Sequence, residues 1–101
     1  MDIIKSAGYK ISALEIEKHI LSIAGIKEVA VVGIPDQIYG EIICAIVVSE
    51  PGFKVDLQYI KDNCKEKMAK YKYPQQLKLL EEIPKNAMGK VNKKELKRIL
   101  F

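Results

Sequence analysis

Lys90 lies in a stretch arranged to hold one cation in front of a helix: Pro84-Lys85-Asn86-Ala87-Met88-Gly89-Lys90-Val91-Asn92-Lys93-Lys94-Glu95-Leu96. Gly89 admits positive φ at low steric cost, so the chain can turn tightly and present the next side chain. Asn92 is placed as an N-cap with Glu95 at N3, and Val91 and Leu96 are spaced as a hydrophobic staple. Lys90 then has a rigid helix start behind it and an open turn before it. A lysine held this way can reach a phosphate or a carboxylate carried by another surface. An ordinary solvated lysine at a helix start would satisfy the same local pattern.

A second lysine is placed alike. In Gly8-Tyr9-Lys10-Ile11-Ser12-Ala13-Leu14-Glu15-Ile16, Lys10 stands two residues before the N-cap Ser12, with Glu15 at N3 and Ile11 and Ile16 as the staple. The two segments are not a repeat. The same local need is met twice: a cation on a rigid helix start, close to a glycine that lets another surface approach. The free N–H groups and dipole of a helix start add about 0.3–1 kcal/mol of preference for an anion, so lysine plus helix start is a sensible phosphate device.

The rest of the chain must position these two devices. Its 101 residues suffice for one domain with a modest core, and 49% hydrophobic with 30% charged residues is ordinary for a globular protein. The net charge of +4 favours anionic partners without choosing among nucleic acid, membrane and phosphorylated small molecules. No apolar run is long enough to span a membrane, and the start leads into no signal-peptide pattern. Cys44 and Cys64 fall in segments that read as buried, without CxxC or histidine spacing. Neither a disulfide scaffold nor a metal site is expected, and a reducing intracellular setting, mitochondrial or cytoplasmic, fits best.

In order, Ile3–Lys5 and Tyr9–Ile11 predict a small hairpin with Gly8 at a positive-φ or close-approach position. A helix follows from the Ser12 cap to about Ala24, with Ala13, Ile16, Ile20 and Ile23 as its apolar stripe and Gly25 ending it. His19 falls on its polar side as a solvated residue. The runs Val29–Ile34 and Ile42–Val48 predict strands covered on both faces at the centre of a sheet, joined by a loop a little long for a tight hairpin. Asp56 caps a helix to about Met68, Gln76–Leu79 alternates as a half-buried strand, and a last helix runs from Lys93 to about Leu100. The fold class is α+β: a small mixed β-sheet with flanking helices and an N-terminal β-hairpin.

The lysine turn near the C-terminus resembles the last signature of the adenylate-forming enzymes, roughly P-[KR]-[TN]-x-x-G-K-[ILV]-x-[RK]-x-x-L. The opening D-I-I-K-S-A-G-Y-K-I-S-A-L-E-I-E is similar to the signature that starts the C-terminal domain of the same superfamily, and V-A-V-V-G-I-P-D-x-x-x-G-E to a block between them. The resemblance covers essentially the whole chain and the C-terminal domain alone. Its wording is most similar to acyl-CoA synthetases of the malonyl-CoA synthetase kind; Tyr71-Lys72-Tyr73-Pro74 also occurs in medium-chain types.

The resemblance implies a mobile lid that serves two half-reactions: carboxylate plus ATP, with Mg2+, to acyl-AMP and pyrophosphate, then displacement of AMP by CoA. Lys90 matches the lysine that assists adenylation, on the turn formed by Gly89. Gly8, Tyr9 and Lys10 match the loop at the CoA tunnel, with Lys10 as a candidate CoA phosphate contact. Lys65 falls where some relatives carry an arginine to the CoA nucleotide; a solvated helix face accounts for it equally well. The family's hinge falls at or just before Met1-Asp2, as expected of one domain cut from a longer chain. The nucleotide and acyl pockets would belong to a large N-terminal AMP-binding domain, the expected partner, and this chain alone should be inactive. Three other readings stand beside this one: an adenylation domain serving a carrier-protein thiol, a non-catalytic interaction domain, and a nucleic-acid module. Interspersed acidic residues speak against the last.

Overall fold

A computed structural model describes residues 2–101. The chain opens with the expected hairpin, strands β1 (Ile3–Ser6) and β2 (Tyr9–Ser12), paired from Ile3↔Ser12 to Ser6↔Tyr9. Both turn residues have positive φ, 52° at Ala7 and 84° at Gly8, which is the conformation of a two-residue type I′ turn. Ile4, Ser6 and Ile11 point inward. Lys5 and Lys10 are paired across the hairpin and exposed.

Helix α1 (Ala13–Leu21) starts where expected, with Ser12 Oγ accepting from the Glu15 amide at 3.2 Å. It ends three residues early, at Leu21 and not Ala24. The Ser22 hydroxyl donates to the His19 carbonyl at 2.6 Å and the Ile23 amide to the Ile20 carbonyl, so the last turn tightens before Gly25. Gly25 then has φ +93°, and a Cβ there would lie 2.5 Å from the Phe53 ring, so conformation and packing both require glycine. His19 is half-buried, not simply solvated: its Nε2 lies 3.0 Å from the Asn63 carbonyl and ties α1 to the next helix.

Strands β3 (Ile26–Asp36) and β4 (Gly40–Ser49) form one long antiparallel hairpin. The loop is tighter than the sequence suggested. Pro35 and Asp36 stay in the ladder, Asp36 pairs with Gly40, and the Asp36 carboxylate accepts the Ile38 and Tyr39 amides at 3.0 and 2.8 Å. Gly40 completes the turn with φ +84°, the left-handed residue that three-residue hairpin loops need.

Helix α2 (Leu57–Cys64) is capped by Asp56, which accepts from the Tyr59 amide at 2.8 Å. It stops at Cys64 and not Met68, because Lys65 turns out of helical geometry at ψ 138° and Glu66 follows with a left-handed φ of 66°. A 3-10 turn (Lys70–Lys72) leads to β5 (Gln76–Leu79), which runs parallel to β4. Its burial does not alternate cleanly; Leu77 packs into one layer, and Leu80, just past the strand, into the other. The last helix, α3 (Lys93–Leu100), has the predicted bounds.

The sheet order is β2-β1-β4-β3, with β5 also on β4, so the sheet is mixed and the α+β expectation holds. Only β4 is central. β3 was expected there too, yet it is an edge strand whose outward Val31 amide is capped by Glu17 Oε2 at 2.8 Å, a contact that blunts the open edge. Both strands are nonetheless covered on two faces, as their unbroken apolar runs required. Val31, Ile43, Ala45 and Val47 pack against α1 and α2; Val32, Cys44, Ile46 and Val48 pack under Ile83, Leu96 and Leu100.

Both cysteines are free and buried. Burial pushes the Cys44 thiol up to about 11, and burial also raises that of Cys64. At pH 8 the folded chain should therefore resist iodoacetamide at both sites and react at both in denaturant. Mass spectrometry reads this directly, and rapid native labelling of either cysteine would contradict the packing.

Candidate functional site

The Lys90 turn is built by Asn86. The Asn86 carboxamide oxygen accepts the Met88 amide at 2.9 Å and the Lys90 amide at 3.1 Å, while its own backbone N–H donates to the Lys90 carbonyl at 2.8 Å. Gly89 closes the turn at φ +79°, its amide 2.9 Å from the Asn86 carbonyl, and a Cβ there would meet nothing within 4 Å. Glycine is thus demanded by conformation, and the space before it is open. Asn86 was not singled out from sequence, although an asparagine three residues before a turn glycine is the mark of a side-chain-closed turn.

Behind the turn, Asn92 Oδ1 accepts the Glu95 amide at 3.1 Å, and Val91 and Leu96 pack together as the staple requires. The reciprocal half of the capping box is missing in both helices. Arg98 holds the Glu95 carboxylate, and Lys72 holds that of Glu15 at 2.9 Å. A charge-assisted bond to a cation outcompetes a neutral amide for a carboxylate. It also lowers the Glu95 pKa and raises that of Lys72.

The cations around the turn separate into braces and a free group. Lys85 pairs with Glu28, and Lys93 pairs with Asp2 and with Glu17 at 2.5 Å, fastening the start of α3 to β3, α1 and the chain start. Lys90 is exposed and, among the described residues, has no salt-bridge partner. It borders an open groove with Leu14, Val29, Ala30 and Val91, and with Asp2 and Glu17, whose carboxylates are taken up by Lys93. A positioned cation without a carboxylate of its own fold is available to an anion brought from outside.

The Gly8 turn is equally open: no atom lies within 4 Å of a Cβ built on Gly8. Beside it, Lys5 and Lys10 face one another across the hairpin, an unfavourable juxtaposition of like charges that a bound anion would relieve. Tyr9 stacks on Tyr71 with ring centroids 3.8 Å apart, and Lys72 lies 5.9 Å from the Tyr71 centroid. This stack joins residues too far apart in sequence for pattern reading to find. Lys65 is not on a helix face as expected; it is the C-cap of α2, exposed and 3.3 Å from Asp62. It borders a groove of about 330 Å³ shared with Lys61, Lys70, Tyr71 and Tyr73. The Lys10 turn and the Lys90 turn are thus two separately built features, each rigid at its base and open in front.

Two exposed glycine turns, each followed by a lysine before a capped helix, thus lie on one small mixed sheet. The family model described as "AMP-binding enzyme C-terminal domain" matches residues 15–90, and the chain belongs to that family. Among named relatives, it is 46% identical over its whole length to "Malonate--CoA ligase ACSF3, mitochondrial" of Mus musculus, and 49% identical over 95% of its length to the Xenopus laevis protein of the same name. In each case the chain spans 17% of the relative. Among solved structures, a Mycobacterium tuberculosis fatty acyl CoA synthetase superposes with a TM-score of 0.90 at 37% identity, over 98% of this chain and 20% of that one. ATP-bound MatB from Rhodopseudomonas palustris superposes at 0.89 and 31% identity, over 97% and 20%. Among the described residues no helix is long and apolar enough to cross a membrane.

Proposed function

We propose that this domain is the mobile lid of an ATP-dependent, AMP-forming acyl-CoA ligase, joined to a large N-terminal AMP-binding domain and inactive alone. The observation that carries the reading is Lys90: exposed, unpaired among the described residues, and held on a turn clamped by Asn86 and a capped helix. In the first half-reaction its ammonium offsets the negative charge that accumulates as a carboxylate attacks the α-phosphate of ATP. That is electrostatic help without a covalent bond to the protein. In the second, the Gly8 turn is presented instead, its missing side chain leaving room for the thiol end of CoA, with Lys10 and Lys65 placed for the phosphates of that molecule.

Among the described residues no group of His, Cys, Asp and Glu could hold a metal. No step of this domain is therefore assigned to Mg2+, which the reading leaves with ATP on the N-terminal domain. The names of the relatives make malonate the first acid to test.

The test compares the isolated chain with the same chain fused to its N-terminal domain, supplied with malonate, ATP and CoA. The chain alone should form no malonyl-CoA and the fusion should form it. Thioester formation by the chain alone would refute the division of labour.

A further inference from the structure

We infer that Glu41, seated over Gly33, is a positioning residue for the Gly8 turn, and so for the thioester-forming step alone. The inference rests on the proposed role of Gly8.

The β1–β2 hairpin has little backbone connection to the rest of the sheet. β1 and β4 share a single register pair, Ser6↔Gly40, supplemented by the Ala7 amide donating to the Tyr39 carbonyl at 2.8 Å. No further register pair joins the two strands among the described residues, and the Lys5 amide of β1 bonds to a side chain. Glu41 provides it: its Oε1 accepts from the Lys5 N–H at 2.9 Å. A carboxylate accepting a backbone amide is a charge-assisted bond, stronger than the ladder bond it replaces.

The carboxylate occupies space left by the absence of a side chain at Gly33. A Cβ on Gly33 would lie 2.6 Å from Glu41 Oε2 and 2.8 Å from its Cδ, closer than real contacts allow. Gly33 has no positive φ, and a Cβ there would make the flexible end of Glu41 shift from the position in which it accepts the Lys5 amide. Gly33 is itself pinned from outside, its carbonyl accepting from Lys97 Nζ of α3 at 3.2 Å. A chain of contacts thus runs from α3 through Gly33 and Glu41 to Lys5, three residues from Gly8. It meets α3 at Lys97, a full turn beyond the Asn92 cap, and includes neither Lys90 nor Asn86.

Ala7 adds a reason for a strut. Its φ of 52° is left-handed without being glycine, a conformation that costs roughly 1–2 kcal/mol for an L-residue. Without its attachments to Tyr39 and Glu41, the hairpin tip would be free to relax. A tip displaced by about 1 Å is enough to lower a step that depends on its position by about 100-fold.

The experiment uses the two-domain ligase with Glu41→Ala, Glu41→Gln, Gly33→Ala and, as reference, Gly8→Leu. Pyrophosphate release and thioester formation from supplied acyl-AMP are measured separately, with hydrogen exchange over residues 3–9. Glu41→Ala and Gly33→Ala should slow thioester formation by tenfold or more, in order-of-magnitude terms, and speed exchange at Lys5, with pyrophosphate release unchanged. Glu41→Gln retains an acceptor oxygen and should restore most of both losses.

Equal loss in the two half-reactions, accompanied by a lower melting temperature, would reduce Glu41 to a structural residue and overturn the inference. Wild-type thioester formation in Glu41→Ala would overturn it as well, provided Gly8→Leu is blocked. If Gly8→Leu itself is unimpaired, the reading of the Gly8 turn fails first, and the two failures are distinguishable.

Discussion

Replacing Lys90 by alanine in the proposed two-domain ligase is expected to lower acyl-adenylate formation, read as pyrophosphate release, by roughly 100- to 1,000-fold, the usual consequence of removing one preorganised charge from a transition state. The fold gives no reason to expect a loss of stability with it. Lys90 is exposed and, among the described residues, unpaired, whereas the cations that brace the same region are Lys85 and Lys93. The melting temperature should therefore stay near that of the wild type. Lys90→Arg keeps the charge on a longer, planar group and should recover only part of the rate. Lys90→Gln, like acetylation of the lysine, keeps a polar side chain without charge and should behave as alanine does.

Gly8→Leu should produce the complementary defect. Apart from its chain neighbours, nothing among the described residues lies within 4 Å of a Cβ at Gly8, so the side chain starts into open space, although φ +84° strains any L-residue there. The strain amounts to about 1–2 kcal/mol, which a folded domain can absorb. What leucine occupies is the open space in front of the turn, where the thiol end of CoA is proposed to pass. Thioester formation from supplied acyl-AMP should fall by about 100-fold while pyrophosphate release continues. Gly8→Ala, with the same backbone strain and a much smaller side chain, separates obstruction from conformation: a defect as deep as that of leucine would assign the glycine to backbone geometry alone.

Both devices could be read from sequence because each is local. A glycine, a lysine, an N-cap and a staple within a dozen residues specify their own geometry, and Ser12, Asp56 and Asn92 all cap as their spacing predicts. The apolar runs of β3 and β4 were legible for a related reason: strands covered on both faces cannot hide the fact. Which of them is central was not legible, since the edge of β3 is covered by Glu17, a residue that reads as an exposed helix position. The helix ends were misread where one hydroxyl, at Ser22, or one non-helical residue, Lys65, overrides a continuing apolar stripe. The contacts between distant segments were beyond pattern reading altogether. Tyr9 on Tyr71, Glu41 on Lys5, and Lys93 between Asp2 and Glu17 are products of the assembled fold. Asn86 is the exception, a local signal that Asn-Ala-Met-Gly spacing contains and that was passed over.

The division of one small domain between two chemical steps is tested most directly by supplying Lys90→Ala ligase with preformed acyl-AMP and CoA. If Lys90 serves adenylation only, thioester forms at the wild-type rate although pyrophosphate release from acid and ATP is lost. A thioester rate that falls as far as the adenylation rate would mean that the two turns do not serve separate steps, and the account would be wrong at its centre.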